Sequence, residues 1–269
     1  MKKLLFFIIL ISLTLSCEPG VKEKPVNDTF VSKKDTFQFL PVSTTGQLVR
    51  HRYYALSYAE AYENAEWVAY SLSPGQLSRR QIERPHFIRD PEVKTKSAHY
   101  KNYYPNGYEK GHLLPAADMR FDIDAFDDTF YTSNVSPMDH YFNSGIWNRL
   151  EKQVRYWVKR YGKLYIVTAG VLQPGLERIG REKVAVPDYF YKIVLDYKKP
   201  ENARMIGFLI PHKDLQDDLK KFVVPVDSIE KITGIDFFPA LPDKIEERLE
   251  AKIHPEQWRF VHFKDWQNH

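Results

Sequence analysis

Cysteine is nearly missing from this chain of 269 residues, where Cys17 is the only one. Without a second thiol no intramolecular disulfide can staple the fold, and no structural zinc site can be built on paired cysteines. A long hydrophobic run is missing too. Leu4 to Leu15 is apolar apart from Ser12 and Thr14, which falls short of the roughly 20 residues that a membrane-spanning helix needs. Strong charge of one sign is also lacking. The formal charge is +4, and without Lys2 and Lys3, which stand in a leader-like start, 37 basic against 35 acidic residues leave +2. A polyanion would have to be met by a local basic patch, not by a global field. Beyond residue 40 there is no internal repeat and no low-complexity tract, which sets aside a solenoid or array.

What is present is ordinary globular material. Hydrophobic residues make up 43% and charged residues 28%, enough to bury a sizeable core. Aromatics reach 14% and serve a core before they serve a base-stacking platform, which needs a particular site. At the start, Lys2 and Lys3 precede the apolar run, and Leu13-Thr14-Leu15-Ser16-Cys17 resembles a bacterial lipoprotein box. That resemblance implies cleavage before Cys17 and lipidation of its sulfur. The expected organisation is therefore a signal peptide over 1–16, a lipidated Cys17 with a flexible tether over 17–39, and a folded domain over 40–269. The expected location is that of an exported bacterial lipoprotein anchored to a membrane, periplasmic or at the cell surface, with plain secretion as the rival.

Strand signals fall at Gln47 to Ser57, Glu66 to Leu72, Leu164 to Leu172, Tyr189 to Tyr197 and Arg204 to Ile210, where β-branched and aromatic residues gather. Ser144 to Tyr161 reads as the best helix, because Ile146, Leu150, Val154, Trp157 and Tyr161 recur at steps of three and four. Asp227 to Glu230 has the form of a capping box that opens a short helix closed by Gly234, and Asp243 to Lys252 reads as a last helix. Strands and helices without strict alternation indicate an α+β domain.

Chemistry concentrates between Tyr104 and Arg155. Glu109-Lys110-Gly111-His112 leads into Leu113-Leu114-Pro115-Ala116-Ala117-Asp118. Phe130-Tyr131-Thr132-Ser133-Asn134-Val135-Ser136-Pro137 follows, then Asn143-Ser144-Gly145-Ile146-Trp147-Asn148-Arg149-Leu150-Glu151, with Arg155 one turn later. Cutting a phosphodiester with water needs an activated water, a cation on the phosphate oxygens and help for the leaving oxygen. A histidine can take the proton near neutral pH, and Mg²⁺ can be held through one protein oxygen and its own waters. His112 and Asn143 form such an economical pair. Asn143, Trp147, Glu151 and Arg155, spaced by four, line one side of the helix. With the helix beginning near Ser144, Asn143 is expected at its N-terminus, where the peptide dipoles favour phosphate.

These motifs resemble the DNA/RNA non-specific endonuclease family, which includes the endonuclease G type. Further likeness lies in Val184 to Lys192, Gly207 to Pro211 and Ile229 to Phe238, so the resemblance covers roughly residues 45 to 250. It implies a ββα-metal core on a mixed, mainly antiparallel sheet flanked by helices, and hydrolysis of DNA and RNA with little base specificity. It also implies His112 as general base, Asn143 as the sole direct ligand of Mg²⁺ (with Mn²⁺ or another divalent ion as substitutes), Glu151 on metal-bound water and Arg155 on the phosphate. Asn134 aligns with a family residue near the site and is carried as a substrate contact. A homodimer is compatible with the likeness. Glu109-Lys110 departs from the family's Asp-Arg: Lys110 keeps the catalytic charge but not the bidentate fork. Met138 departs from a common Gln.

The plainer alternatives are definite. Asn143 is by default a helix cap, Glu151 and Arg155 a surface pair worth about 0.2–0.5 kcal/mol, and Asp122, Asp124, Asp127 and Asp128 a solvated acidic loop. His140, close to Asn143, offers itself as a second ligand but reads first as a plain loop residue, and the remaining histidines show no ligand spacing. The rival functions are a catalytically weakened nucleic-acid-binding lipoprotein, motivated by Lys110, and a different metal-dependent hydrolase on the same scaffold.

Overall fold

Alternating β-branched and aromatic residues build one antiparallel sheet in the computed structural model, which describes residues 39–261. Its seven strands lie in the order β1 (Gln47–Arg50), β2 (Tyr54–Ala59), β3 (Asn64–Leu72), β6 (Leu164–Gly170), β9 (Tyr189–Asp196), β10 (Arg204–Pro211) and β11 (Val223–Val224). Every neighbouring pair in it runs antiparallel. Two ribbons stand apart, β4 (Glu109–His112) with β5 (Val135–Met138), and β7 (Glu177–Ile179) with β8 (Val184–Val186). The four helices that matter below are α1 (Ile123–Asp128), α2 (Asn148–Tyr161), α3 (Val226–Thr233) and α4 (Asp243–Glu250).

Both faces of the sheet are covered, which explains its long apolar strands. An antiparallel sheet with one wet face alternates apolar and polar residues, whereas β3 and most of β9 are buried throughout. Period-two geometry sends Phe190, Lys192 and Val194 to one face and Tyr191, Ile193 and Leu195 to the other. On the first face the indole of Trp147 lies 5.6 Å from Phe190 and Trp157 stacks 6.1 Å from Phe208, so α2 and the turn before it pack there. On the second, Phe237 meets Tyr191 at 5.2 Å, and a Cβ on Gly207 would come 3.1 Å from Ile229 Cδ1, so α3 packs close to the backbone. Of the predicted apolar stripe, Leu150, Val154 and Trp157 are buried on α2, with Val158 buried beside them, whereas Tyr161 is half-buried. Each such side chain contributes about 1.5–3 kcal/mol when fully buried.

The α+β class and the mainly antiparallel sheet agree with the sequence reading, but several boundaries do not. The single strand expected over Gln47 to Ser57 is two strands, β1 and β2, joined by a tight turn in which His51 N–H donates to Tyr54 O at 2.9 Å. The capping box at Asp227 does not form. Pro225 is the N-cap residue of α3, and the Glu230 carboxylate instead accepts Phe237 N–H at 3.0 Å. Gly234, at φ 70°, closes α3 as expected. The acidic stretch is not a loop, because Asp122 accepts Ala125 N–H at 2.9 Å and caps α1. The leader, Cys17 and nearly all of the tether lie outside the described residues. No described helix is long and apolar enough to cross a membrane.

Candidate active site

The ribbon of β4 and β5 is poor in strand formers, and its register rests on one close approach. Glu109 pairs with Met138 and His112 with Val135. A Cβ on Gly111 would stand 2.1 Å from the Met138 sulfur, so no larger residue fits there without displacing it. From β5 the chain turns directly into helix. Asp139 accepts Phe142 N–H at 3.0 Å, and its own N–H donates to His212 Nε2 at 2.7 Å. His212 Nδ1 bonds Pro187 O at 2.8 Å, which fixes a neutral tautomer with Nε2 as acceptor. Two strands and a helix thus follow one another as the family resemblance implies.

The helical segment begins earlier than its sequence suggests. A helical turn covers His140–Phe142, then a π-type turn covers Asn143–Trp147, with Gly145 at φ −91° and ψ −110°. The expectation that Asn143 stands at a helix N-terminus is therefore corrected. Its φ and ψ are helical and its N–H donates to Asp139 O at 2.9 Å, so no free amide of Asn143 meets an anion.

What Asn143 offers is its side chain. Its Nδ2 donates to Glu109 Oε2 at 2.8 Å, which directs the amide so that the carbonyl oxygen is left over. The other carboxylate oxygen of Glu109 bonds His140 Nδ1 at 2.6 Å. These two side-chain bonds hold the Glu109 carboxyl below its usual range against the opposing effect of burial, which is the largest influence. Glu109, read from sequence only as a departure, is the residue that positions the candidate ligand.

His112 sits at the end of β4 with its ring between Phe87, at 5.3 Å, and Phe130, at 5.0 Å. Burial, aided by the Arg84 guanidinium, pushes the imidazole down to about 3, so the ring is neutral. Its Nε2 is covered and has no hydrogen-bond partner among the described residues. Lys110, on the same face of β4, places Nζ 5.4 Å above the Phe87 ring, and the exposed Arg84 lies 5.3 Å over Phe130. Two cations thus flank the histidine. Arg84 was not singled out from sequence, where it is one arginine in a polar stretch.

Glu151 and Arg155 are not the surface pair that a plain reading of their spacing gives. They stand 3.9 Å apart, and Arg155 Nη1 donates to the buried Asp118 at 2.8 Å, which also accepts Tyr70 O–H at 3.1 Å. Burial raises the Glu151 carboxyl against the attraction of Arg155 and Lys192. Lys192 is wholly buried on β9, donates to Thr168 Oγ1 at 3.1 Å and lies 4.6 Å from the Trp147 ring. Burial lowers it against the pull of Glu151 and Asp118.

Trp147 ties these groups together. Its indole N–H donates to His112 O at 3.4 Å while its ring covers Lys192. Two bonds, Asn143 to Glu109 and Trp147 to His112, therefore dock the helix on β4. No direct hydrogen bond joins His112 to Asn143 among the described residues; their connection runs through the strand. Asn134 does not join the site. It is fully buried, accepts Leu114 N–H at 2.9 Å and donates to Leu114 O at 3.0 Å and Thr129 O at 2.9 Å. Its expected contact with substrate is corrected, because the amide has no free donor and no exposed face; it staples the turn after His112.

The Glu109 bridge yields a direct expectation. With Asn143 as the metal ligand that the resemblance implies, Glu109→Ala should raise the metal concentration needed for half-maximal activity about 10–100-fold, as is usual when a partner that orients a ligand is lost. Glu109→Asp, which keeps a carboxylate, should lose less. Metal titrations of the cleavage rate would check this, and an unchanged half-point in Glu109→Ala would remove the orienting role.

A family model described as DNA/RNA non-specific endonuclease matches residues 34–244. Nuclease EXOG, mitochondrial, of Danio rerio is 33% identical over 207 residues, covering 70% of this chain and 60% of that protein. Endonuclease G, mitochondrial, of Homo sapiens is 31% identical over 210 residues, covering 72% of this chain and 70% of that protein. A solved structure of an EndoG/EndoGI complex matches with a TM-score of 0.69 at 27% identity, covering 75% of this chain and 90% of the other. The chain spans 56% to 60% of the length of the EXOG relatives. The expected location is overturned by these findings: the similar nucleases are described as mitochondrial, not as exported bacterial lipoproteins. A lipid anchor at Cys17 has no support from them.

Proposed function

Because the chain belongs to the DNA/RNA non-specific endonuclease family, we propose that it is a metal-dependent endonuclease that hydrolyses phosphodiester bonds of DNA and RNA without strong base preference. The catalytic unit is assigned to residues 40–269. The observation that carries this reading is the carbonyl oxygen of Asn143, which no described residue takes up and which Glu109 aims, on a helix docked at the strand end that bears a neutral His112.

The residues fit a hard divalent ion, with Mg²⁺ the preferred one. One neutral oxygen suits an ion that keeps most of its waters, and the partnerless Nε2 of His112 leaves room in the bonding scheme for a water. Asn143 would hold the ion, with Glu151, which makes no side-chain hydrogen bond of its own among the described residues, placed to orient water from the outer sphere. When bound, the ion would neutralise charge on the phosphate oxygens.

The remaining steps belong to the chain. His112 is neutral, so Nε2 can accept a proton from the attacking water. Its low intrinsic basicity rises when a polyanion lies beside it, because a nearby negative charge favours the protonated ring. Lys110 and Arg84 stand where a backbone phosphate would meet positive charge, and Arg155, held by Asp118, presents the rest of its guanidinium as a rigid donor. Phosphate contacts of this type carry no base readout and make binding steeply dependent on salt. Lys110 places a cation over Phe87, beside the histidine, which counts against a binder without catalysis.

Incubating the pure chain with plasmid and with RNA should give degradation in Mg²⁺ and none in chelator. Binding without cleavage in Mg²⁺ would instead establish the weakened binder, and cleavage in chelator would refute the metal.

A further inference from the structure

On the face of the sheet away from the candidate active site, α3 and α4 bring a group of carboxylates together. Asp227, Glu230 and Glu250 each offer one oxygen, and these oxygens all lie within 4.8 Å of one another. Asp227 and Glu230 stand three apart on one face of α3, and Glu250 is the last residue of α4. Among the described residues none of the three has an ion-pair partner. Asp227 is exposed, Glu230 half-buried, and Glu250 only 5% exposed.

Glu250 is the informative member. Its Oε1 is covered and has no hydrogen-bond partner among the described residues, and the same holds for Oε1 of Glu246, one turn earlier on α4. Unpartnered buried carboxylate oxygens are costly. Position adds to the cost, since the C-terminal end of a helix carries partial negative charge. The charged groups that act most strongly on Glu250 are Glu230, Glu246, Asp227 and Asp236, all of them carboxylates. A cation would satisfy the oxygen and the charge together.

We propose that Asp227, Glu230 and Glu250 form a second divalent-cation site, of calcium's size, that clamps α3 to α4 and is separate from the catalytic ion. Oxygens within 4.8 Å of one another fit around one Ca²⁺, whose ligands at about 2.3–2.6 Å stand at most about 5 Å apart. Three carboxylates from two helices give the hard, charged donor set that Ca²⁺ prefers, with room for waters on the exposed Asp227 side.

The test uses the full chain carrying Asn143→Ala, which removes the ligand proposed for catalysis. Equilibrium dialysis against Ca²⁺ should leave one bound ion, and saturating Ca²⁺ should raise Tm by on the order of 5 °C, with Mg²⁺ much weaker. Adding Glu250→Gln or Asp227→Ala should abolish both effects. Either change alone in the otherwise natural chain should leave Mg²⁺-supported activity within about two-fold, because the sites are separate. No bound ion in Asn143→Ala overturns the proposal. So does Ca²⁺ that stays bound in Asp227→Ala, and so does a Glu250→Gln chain that is more stable without any response to Ca²⁺ in its parent, the behaviour of a shared-proton carboxylate cluster. If Glu250→Gln fails to fold, Asp227→Ala, at an exposed side chain, decides the matter.

Discussion

His112→Ala should lower kcat about 10²–10⁴-fold while the affinity for uncut DNA stays within a few-fold, the usual signature of a lost general base. The separation is expected because the imidazole makes no hydrogen bond to the fold through Nε2. Its loss leaves no buried donor or acceptor behind, only a gap between Phe87 and Phe130. The charges proposed to hold the backbone, on Lys110 and Arg84, remain. Stability should fall by about 1 kcal/mol, as for an ordinary truncation. Steady-state cleavage, filter binding and thermal unfolding on the same preparation check all three parts. Full activity in the variant would end the assignment of His112, and a loss of activity matched by a loss of fold would leave the ring a merely structural group.

Asp118→Ala should have the largest effect on stability. It strips Arg155 and Tyr70 of their shared acceptor inside the protein, beside Glu151 and Lys192. Breaking a buried pair by removing one partner costs about 3–5 kcal/mol, because the other charge stays behind. Replacing both members, as in Asp118→Leu with Arg155→Met, should restore much of that stability while leaving activity low, since no guanidinium remains for the phosphate. Urea unfolding gives the first number and cleavage assays the second. An Asp118→Ala chain as stable as the parent would mean that water, and not this carboxylate, solvates Arg155.

How far the sequence could reach differs between these two sites. His112, Asn143, Glu151 and Arg155 could be singled out as candidates because they stand at fixed intervals in a motif, and the apolar stripe of α2 follows from a 3.6-residue period. The central strands were legible because both of their faces are buried and their residues are β-branched or aromatic. The ribbon was not. Glu109–His112 and Val135–Met138 contain a glycine and a proline and lack strand propensity, and they pair because Gly111 admits Met138. Asn134 was misjudged because being near a site along the motif says nothing about which atoms are already bonded. Asp118, Lys192 and the carboxylates of α3 and α4 acquire their meaning from contacts across the chain, which no local pattern encodes. Lys192 in particular reads as an interruption in an apolar strand, and only the sheet shows it facing Trp147.

The π-type turn at Asn143–Trp147 also sets where this protein can tolerate a change in length. The turn is broken at Gly145, whose ψ of −110° lies outside the helical range, so it joins two helical stretches across a kink. Deleting one residue between Ser144 and Trp147 would shorten this link, and each helical residue sets about 100° of rotation and about 1.5 Å of rise, so Asn143 would be re-aimed relative to α2. The carboxamide would swing off Glu109 even though no functional residue had been altered. A one-residue gap in that turn should therefore be as damaging as a substitution in the site, whereas the same gap in the exposed turn over residues 104–107 would leave the helix phase untouched.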